Sequence, residues 1–235
     1  TAIRGCRNRA AVESQALYVH GYAGGIVGEA TRTTIWDCGN EGDVAVRCLR
    51  EEGVRAGQTS RFSAGGIAGQ LWGAGFAANI QRCFSTGGIS TEKWEYDDDY
   101  WGSLCMSGGI VGWTRAGEPA AVMDCYNAGP VSAPTAAGGI VGYAADALTM
   151  SRCYSVAEDP TAPNDSGGGI AGIAHDGHAD RITACFFLET PACPNGVHWW
   201  QSGEPPAQDP TTPCTDEEMQ AQECYEGFDF DDVWV

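Results

Sequence analysis

A five-residue box, Gly-Gly-Ile followed by Val or Ala and a third Gly, occurs five times in the chain. The copies start at Gly24, Gly65, Gly108, Gly138 and Gly168, and successive starts lie 41, 43, 30 and 30 residues apart. A second box ending in cysteine follows each copy and also opens the chain, and its cysteines are Cys6, Cys38, Cys83, Cys125, Cys153 and Cys185. Recurrence at such a period is typical of a repeat architecture.

The shortest repeat has 30 residues and consists of short apolar alternations broken by glycine. It is too short for a four-stranded propeller blade and too polar for a pair of helices. It fits one coil of a parallel β-solenoid, in which coils stack about 4.8 Å apart and equal positions lie over one another. We therefore predict an all-β fold: a parallel β-solenoid (β-helix) of five to six coils over residues 1–188, with a right-handed coil expected. Two ladders would line its interior, the six cysteines and the isoleucines Ile26, Ile67, Ile110, Ile140 and Ile170.

The glycines beside each isoleucine fit two situations equally well. They suit a backbone with positive φ, and they suit a place where neighbouring coils leave no room for a Cβ. Two insertions, residues 45–64 and 90–107, interrupt the compact repeat.

Residues 189–235 form the predicted C-terminal tail and cap. A capping box, Thr215 with Glu218, predicts a short helix near 216–223. The alternation of Phe228 and Phe230 with acids predicts a strand with one apolar face. An open solenoid end exposes backbone and core, so we expect the tail to cover it.

The repeats resemble a known family at this level of detail. Gly108-Gly109-Ile110-Val111-Gly112, with Cys125-Tyr126-Asn127-Ala128-Gly129-Pro130-Val131 after it, resembles the GLUG repeat of large bacterial proteins. Residues 219–234 resemble the segment that closes GLUG arrays. The resemblance implies a secreted or cell-surface location, as in adhesins and in the non-catalytic parts of some immunoglobulin A proteases.

The net charge of −18, from 13 basic and 31 acidic residues, argues against nucleic acid and anionic membrane surfaces as partners. No apolar run approaches the roughly 18 residues of a membrane span, which argues against membrane insertion. The chain opens in the middle of a repeat, at Thr1, without a basic-then-apolar leader. We expect it to be part of a larger chain.

Eleven cysteines are an odd number, so a monomer keeps at least one free thiol. Ladder cysteines have parallel Cβ vectors that prevent the disulfide dihedral, which predicts reduced thiols there. Cys48 and Cys105 lie in the insertions of adjacent coils, and a disulfide between them is predicted. A second bridge would join Cys193 to Cys214 or to Cys224, and a secreted location accounts for both.

The insertion at 90–107 is the leading candidate binding surface. Its unusual residues are Trp94, Tyr96, Asp97, Asp98, Asp99, Tyr100 and Trp101. Aromatic faces beside carboxylates suit sugar rings and also cationic side chains. In the alternative interpretation, the tryptophans only cover the solenoid and the aspartates face solvent. Trp72 and Trp113, which follow glycine boxes, are candidates on a second surface.

Metal and cofactor chemistry finds little support in the sequence. The three consecutive aspartates leave calcium open, although the Asp-x-Asp-x-Asp-Gly spacing of a loop site is absent. No other metal site and no cofactor are predicted.

The chain lacks the common catalytic motifs His-Glu-x-x-His and Gly-x-Ser-x-Gly and a phosphate loop with lysine. We therefore expect a non-catalytic scaffold or adhesion module that binds a glycan or a host or cell-surface protein. The alternative is a polysaccharide-cleaving enzyme on a parallel β-helix, which needs carboxylates about 5 to 10 Å apart. Asp97 to Asp99 could supply them, and Asp37 and Asp124 repeat an acid on the framework.

Overall fold

The structure is a computed structural model of the whole chain. It describes residues 1–17, 20–49, 60–93, 104–115, 119–145, 147–157, 159–162, 166–175, 179–200, 209–231 and 233.

Parallel strands stack into four sheets, which confirms the predicted parallel β-solenoid. We label the four sheets A to D, with the strands given below. Along the chain, one coil contributes strands to sheets C, D, A and B in that order. Sheet A contains β1 (Ala2–Arg4), β2 (Arg7–Asn8), β6 (Thr34–Trp36), β7 (Gly39–Asn40), β11 (Ala78–Gln81), β12 (Phe84–Ser85), β16 (Ala120–Met123), β17 (Tyr126–Asn127), β21 (Leu148–Ser155), β24 (Ile182–Leu188) and β26 (Thr212–Cys214).

The other three sheets are smaller. Sheet B contains β3 (Val12–Leu17), β8 (Val44–Leu49), β13 (Ile89–Glu92) and β18 (Val131–Ser132). Sheet C contains β4 (Gly21–Gly24), β9 (Arg61–Gly65), β14 (Leu104–Gly108), β19 (Ala136–Gly138) and β22 (Gly167–Gly168). Sheet D contains β5 (Val27–Thr31), β10 (Ala68–Trp72), β15 (Val111–Thr114), β20 (Val141–Ala144), β23 (Ala171–His175) and β25 (Val197–Trp200).

The isoleucine ladder forms as the spacing predicts. Ile67 donates its N–H to the carbonyl of Ile110 at 3.0 Å, Ile110 donates to Ile140 at 2.9 Å, and Ile140 donates to Ile170 at 3.0 Å. The four side chains are fully buried, since equal positions of successive coils shield one another. Sheet register agrees, because Ile3 of β1 and Ile80 of β11 both align with Ile35 of β6.

Two hydrophobic columns run through the stack. The larger lies between sheets A and D and holds the isoleucine ladder and the buried ladder cysteines. The smaller lies between sheets B and C and includes Val46, Phe62 and Ile89. A third, small cluster joins Met106 of sheet C to Trp113 and Ile173 of sheet D. The strands of one coil thus contribute side chains to more than one hydrophobic cluster.

The structure decides between the two interpretations of the glycine boxes in favour of missing space. None of their glycines has a positive φ. A Cβ on Gly109, the second glycine of its box, would overlap with the carbonyl oxygen of Gly139 and the side chain of Asn127. In the other boxes the second glycine meets Asn40, Ser85, Ser155 or Phe187 in the same way. Glycine is required because the backbone of each box packs directly against these buried side chains and against the next coil.

The C-terminal residues differ from the sequence prediction in two respects. The helix α1 (Asp216–Met219) has the predicted capping box but is shorter than expected, and a 3-10 turn follows at Gln222–Cys224. The strand predicted around Phe228 and Phe230 is wrong, because these residues lie in turns and loop. A further 3-10 turn lies at Ala179–Arg181. Strands β25 and β26 extend sheets D and A beyond β23 and β24.

None of the helices in the described part of the chain is long and apolar enough to be a membrane-spanning segment.

Candidate functional site

The leading binding surface predicted from sequence lies outside the described residues. Trp94, Tyr96, Asp97, Asp98, Asp99, Tyr100 and Trp101 all fall within 94–103. The flanking strands β13 and β14 are described, so this insertion connects sheet B to sheet C. The insertion one coil earlier makes the same connection, from β8 to β9. Both insertions as predicted, 45–64 and 90–107, include residues of the framework strands at each end. Both predicted insertions therefore emerge at the same corner of adjacent coils.

The two tryptophans of the second predicted surface lie on sheet D. Trp113 is 7% exposed, and the guanidinium carbon of Arg61 lies 4.7 Å from its ring centroid. Trp72 is half-buried, and the guanidinium carbon of Arg115 lies 4.0 Å from its ring centroid. Each indole therefore already has a cation over one face. Their role in binding stays a prediction.

The cysteine ladder consists of free thiols, as all eleven cysteines in the structure do. Cys6 is exposed at the first coil, and the other five ladder cysteines are buried. Each ladder thiol donates to the carbonyl two residues earlier, for example Cys125 to Met123 at 3.0 Å. Burial raises the pKa of Cys125 far above its usual range, so this thiol stays protonated.

The cysteines predicted to form bridges are free thiols too. Cys48 and Cys105 belong to the same hydrophobic cluster between sheets B and C. Cys193 lies in the larger core. Cys214 lies in a different cluster, against the C-terminal segment, which we define as residues 215–231. Since α1 ends at Met219, the residues after it turn back, and Tyr225 and Phe228 lie in the same cluster as Cys214. Burial, with nearby Glu218 and Cys224, raises the pKa of Cys214 to about 11.

An unpredicted feature is a left-handed backbone position immediately before every ladder cysteine. It has φ between +49° and +67° and is occupied by Gly5, Asp37, Arg82, Asp124, Arg152 and Ala184. The charged residues at this position pair between neighbouring coils. Arg82 contacts Asp37 at 2.6 Å, and Arg152 contacts Asp124 at 2.5 Å. The hydrogen bond from Arg82 lowers the pKa of Asp37 below its usual value.

A column of aromatic rings runs along sheet A, one residue after the ladder cysteines. Phe84, Tyr126 and Tyr154 stack with centroid distances of 5.3 Å and 5.1 Å and nearly parallel planes. The guanidinium carbon of Arg7 lies 4.3 Å from the Phe84 ring centroid and ends the column on the first coil. At the other end, Tyr225 packs against Tyr154 at 5.3 Å.

A cleft of about 390 Å³ lies where the C-terminal segment meets this aromatic column. The rings in its wall are Tyr126, Tyr154, Tyr225, Phe228 and Phe230, and its polar side chains include Gln220 and Gln222. The volume lies within the range of small-molecule sites, and the aromatic walls with a few polar groups match their usual composition. This cleft is therefore a candidate binding site that the described residues form.

The tyrosines of the cleft are neutral. Burial raises the pKa of Tyr225 to about 12, with smaller contributions from Cys214 and Cys224. Burial likewise raises the pKa of Tyr154 well above its usual value. The hydroxyl of Tyr225 donates to the carbonyl of Met219 at 2.7 Å, which fixes the ring against α1.

Sequence reasoning overlooked this cleft, although a signal was present. An aromatic residue directly follows four successive ladder cysteines, in Cys83-Phe84, Cys125-Tyr126, Cys153-Tyr154 and Cys185-Phe186. Stacked coils turn such a recurrence into a column. The return of Tyr225 and Phe228 onto that column depends on where α1 ends, which the repeat does not determine.

Within the described ranges no group of three or more His, Cys, Asp or Glu side chains could hold a metal ion. The three aspartates considered for calcium lie outside those ranges.

No protein-family model matches this chain, and neither does any curated protein or any solved structure.

Proposed function

We propose that this chain is a non-catalytic scaffold and adhesion module of a bacterial cell-surface or secreted protein. Its repeats would be of the GLUG type, and its partner a glycan or a host or cell-surface protein. Among the described residues, the repeated framework positions stabilise the stack through hydrogen bonds, packing and ion pairs. A rigid framework that carries insertions at one corner suits presentation of a binding surface.

The observation that carries this proposal is the pairing of the framework acids. Asp124 is only 4% exposed, and Arg152 binds it through two nitrogens at 2.5 Å and 3.0 Å. Asp37 contacts both Arg82 and Arg4. A general acid or base must reach the proton it transfers. Carboxylates engaged in this way favour a structural role over polysaccharide cleavage.

The insertion at residues 90–107 is the proposed contact surface for the partner. Its four aromatic residues and its acids suit a sugar ring or a cationic side chain. Calcium would contribute to this surface only through binding to Asp97, Asp98 and Asp99.

The experiment is a glycan-array and cell-binding assay of the purified chain, with calcium and with chelator. A Trp94→Ala, Trp101→Ala variant should lose binding. Phe76→Ala is the matched control because Phe76 is 63% exposed on a different loop. Reducing-end release from a polysaccharide panel, abolished by Asp97→Asn, would instead establish the enzyme.

A further inference from the structure

We propose that the cleft between the aromatic column and the C-terminal segment binds a guanidinium group, presented as an arginine side chain by a partner protein. The inference rests on the proposed binding module and adds a second contact surface to it, remote in sequence from the insertion. Four observations on the described residues carry the proposal: the rings, the hydrogen-bonding groups, the charge and an internal precedent.

The walls supply aromatic surface in a cavity of suitable size. Tyr225 and Phe228 lie 5.2 Å apart with planes inclined by 55°, and Phe230 lies 6.2 Å from Phe228. Inclined rings present both faces and edges to a cleft. Guanidinium groups stack on aromatic faces, and their weak hydration makes transfer into such a cleft less costly than for an ammonium group.

The polar groups of the wall offer acceptors to a ligand that donates hydrogen bonds. One N–H of the Gln220 amide donates to the carboxylate of Asp216 at 3.1 Å, which leaves the amide oxygen as an acceptor and the second N–H as a donor. The hydroxyl hydrogen of Tyr225 is committed to the carbonyl of Met219, so its oxygen also remains an acceptor. Guanidinium has five N–H donors and no acceptor.

The surrounding charge attracts a cation. Residues 209–231, which include the segment that lines the cleft, contain eight Asp and Glu and no Lys or Arg. Glu223 and Glu226 lie within three residues of Tyr225, and Asp229 and Asp231 flank Phe230. Charge of one sign around a cleft raises the local concentration of the opposite ion and speeds its arrival.

The same column already holds a guanidinium group at its other end. Arg7 crosses above Gly39 to reach Phe84, and a Cβ on Gly39 would overlap with both side chains. Four further arginines lie over aromatic rings in this chain: Arg4, Arg32, Arg61 and Arg115. Arginine on an aromatic surface is therefore a recurrent contact in this protein.

The test is calorimetric titration of the full chain with the blocked peptide acetyl-Gly-Arg-Gly-amide. The matched ligand replaces Arg by citrulline, which keeps the shape and removes the charge. A third titration uses methyl glucoside as a neutral sugar. We expect the arginine peptide to bind about tenfold more tightly than the citrulline peptide. Its affinity should fall several-fold between about 0.05 M and about 0.5 M salt.

Two variants localise the site. Gln220→Lys places a cation in the wall beside Asp216 and should abolish binding of the arginine peptide without removing apolar packing. Phe230→Leu should weaken that binding about threefold to tenfold. Phe76→Leu, at an exposed ring that Arg32 already covers, is the control and should bind like wild type. Near-ultraviolet circular dichroism of each variant reports the fold.

Equal binding of both peptides, no binding to a folded chain, or unchanged binding by folded Gln220→Lys would overturn the proposal. Binding of methyl glucoside in place of the arginine peptide would assign the cleft to neutral sugars and also overturn it. Each of these results leaves the module proposal standing. That proposal fails separately, on hydrolysis of a polysaccharide.

Discussion

A single residue position, the one before each ladder cysteine, combines a strained backbone with charged side chains. Five side chains other than glycine adopt a left-handed conformation there. Such a conformation costs roughly 1–2 kcal/mol per residue. Asp37, Arg82, Asp124 and Arg152 offset the cost through ion pairs to the neighbouring coil. Ala184 has no such pair, because its side chain is a methyl group.

Ala184→Gly should therefore stabilise the protein. Glycine adopts φ of +49° without the Cβ clash, and the greater freedom of the unfolded chain cancels only part of the gain. We expect the free energy of unfolding to rise by about 0.5–1 kcal/mol, measured by urea denaturation. The control is Ala121→Gly in β16, where φ is not positive. It should lower stability by a similar amount, and the same sign for both variants would contradict the account.

Arg152→Met should destabilise the fold through Asp124. The substitution keeps side-chain volume but leaves a buried carboxylate with only the amide of Gln81, at 3.3 Å. Breaking a buried pair costs about 3–5 kcal/mol, and since Arg152 is 35% exposed we expect about 2 kcal/mol.

The matched control for this ion pair is Arg4→Met. Arg4 also contacts a framework aspartate, Asp37, but is 67% exposed. Its loss should cost less than about 1 kcal/mol. Equal effects of the two variants on the urea midpoint would show that burial of the acid is not what matters.

At the scale of one strand or corner, the repeat predicts most of the fold. Ladders at Ile110 and Cys125 follow from spacing alone, because equal positions of stacked coils must coincide. The left-handed position does not follow, since Asp and Arg at such a site have no local pattern that marks φ. The cleft does not follow either. It depends on the C-terminal segment that returns to Tyr154, a contact distant in sequence.

Gly109→Ala tests the corner. The added methyl group would overlap with backbone of the next coil and with Asn127, neither of which can move alone. We expect a loss of about 3 kcal/mol or more in the free energy of unfolding. Gly88→Ala is the control, because the three atoms nearest to its added Cβ belong to side chains, the closest being the Asp43 carboxylate oxygen at 3.2 Å that accepts the Gly88 N–H. A cost within about 1 kcal/mol is expected there, and similar losses for both would refute the packing argument.

At the level of the whole molecule, the structure predicts which cysteines are free thiols and which of them solvent can reach. The structure holds eleven free thiols, and the five buried ladder cysteines are shielded by the coils around them. Titration with an aromatic disulfide reagent should label Cys6 first in the native protein, and Cys6→Ser should remove that phase. All eleven thiols should react in denaturant. Two fewer for each bridge would show that the pairs predicted from sequence, Cys48–Cys105 or one in the tail, form in the protein.

The whole structure depends on one arrangement, in which successive coils stack in parallel with equal repeat positions in register. Through-hydrogen-bond NMR couplings, measured on a sample uniformly labelled with ¹⁵N and ¹³C, test this arrangement. We expect couplings from the amide nitrogen of Ile67 to the carbonyl carbon of Ile110, from Ile110 to Ile140, and from Ile140 to Ile170. Couplings from these amides to other residues, or none in a folded sample, would contradict the stacked solenoid.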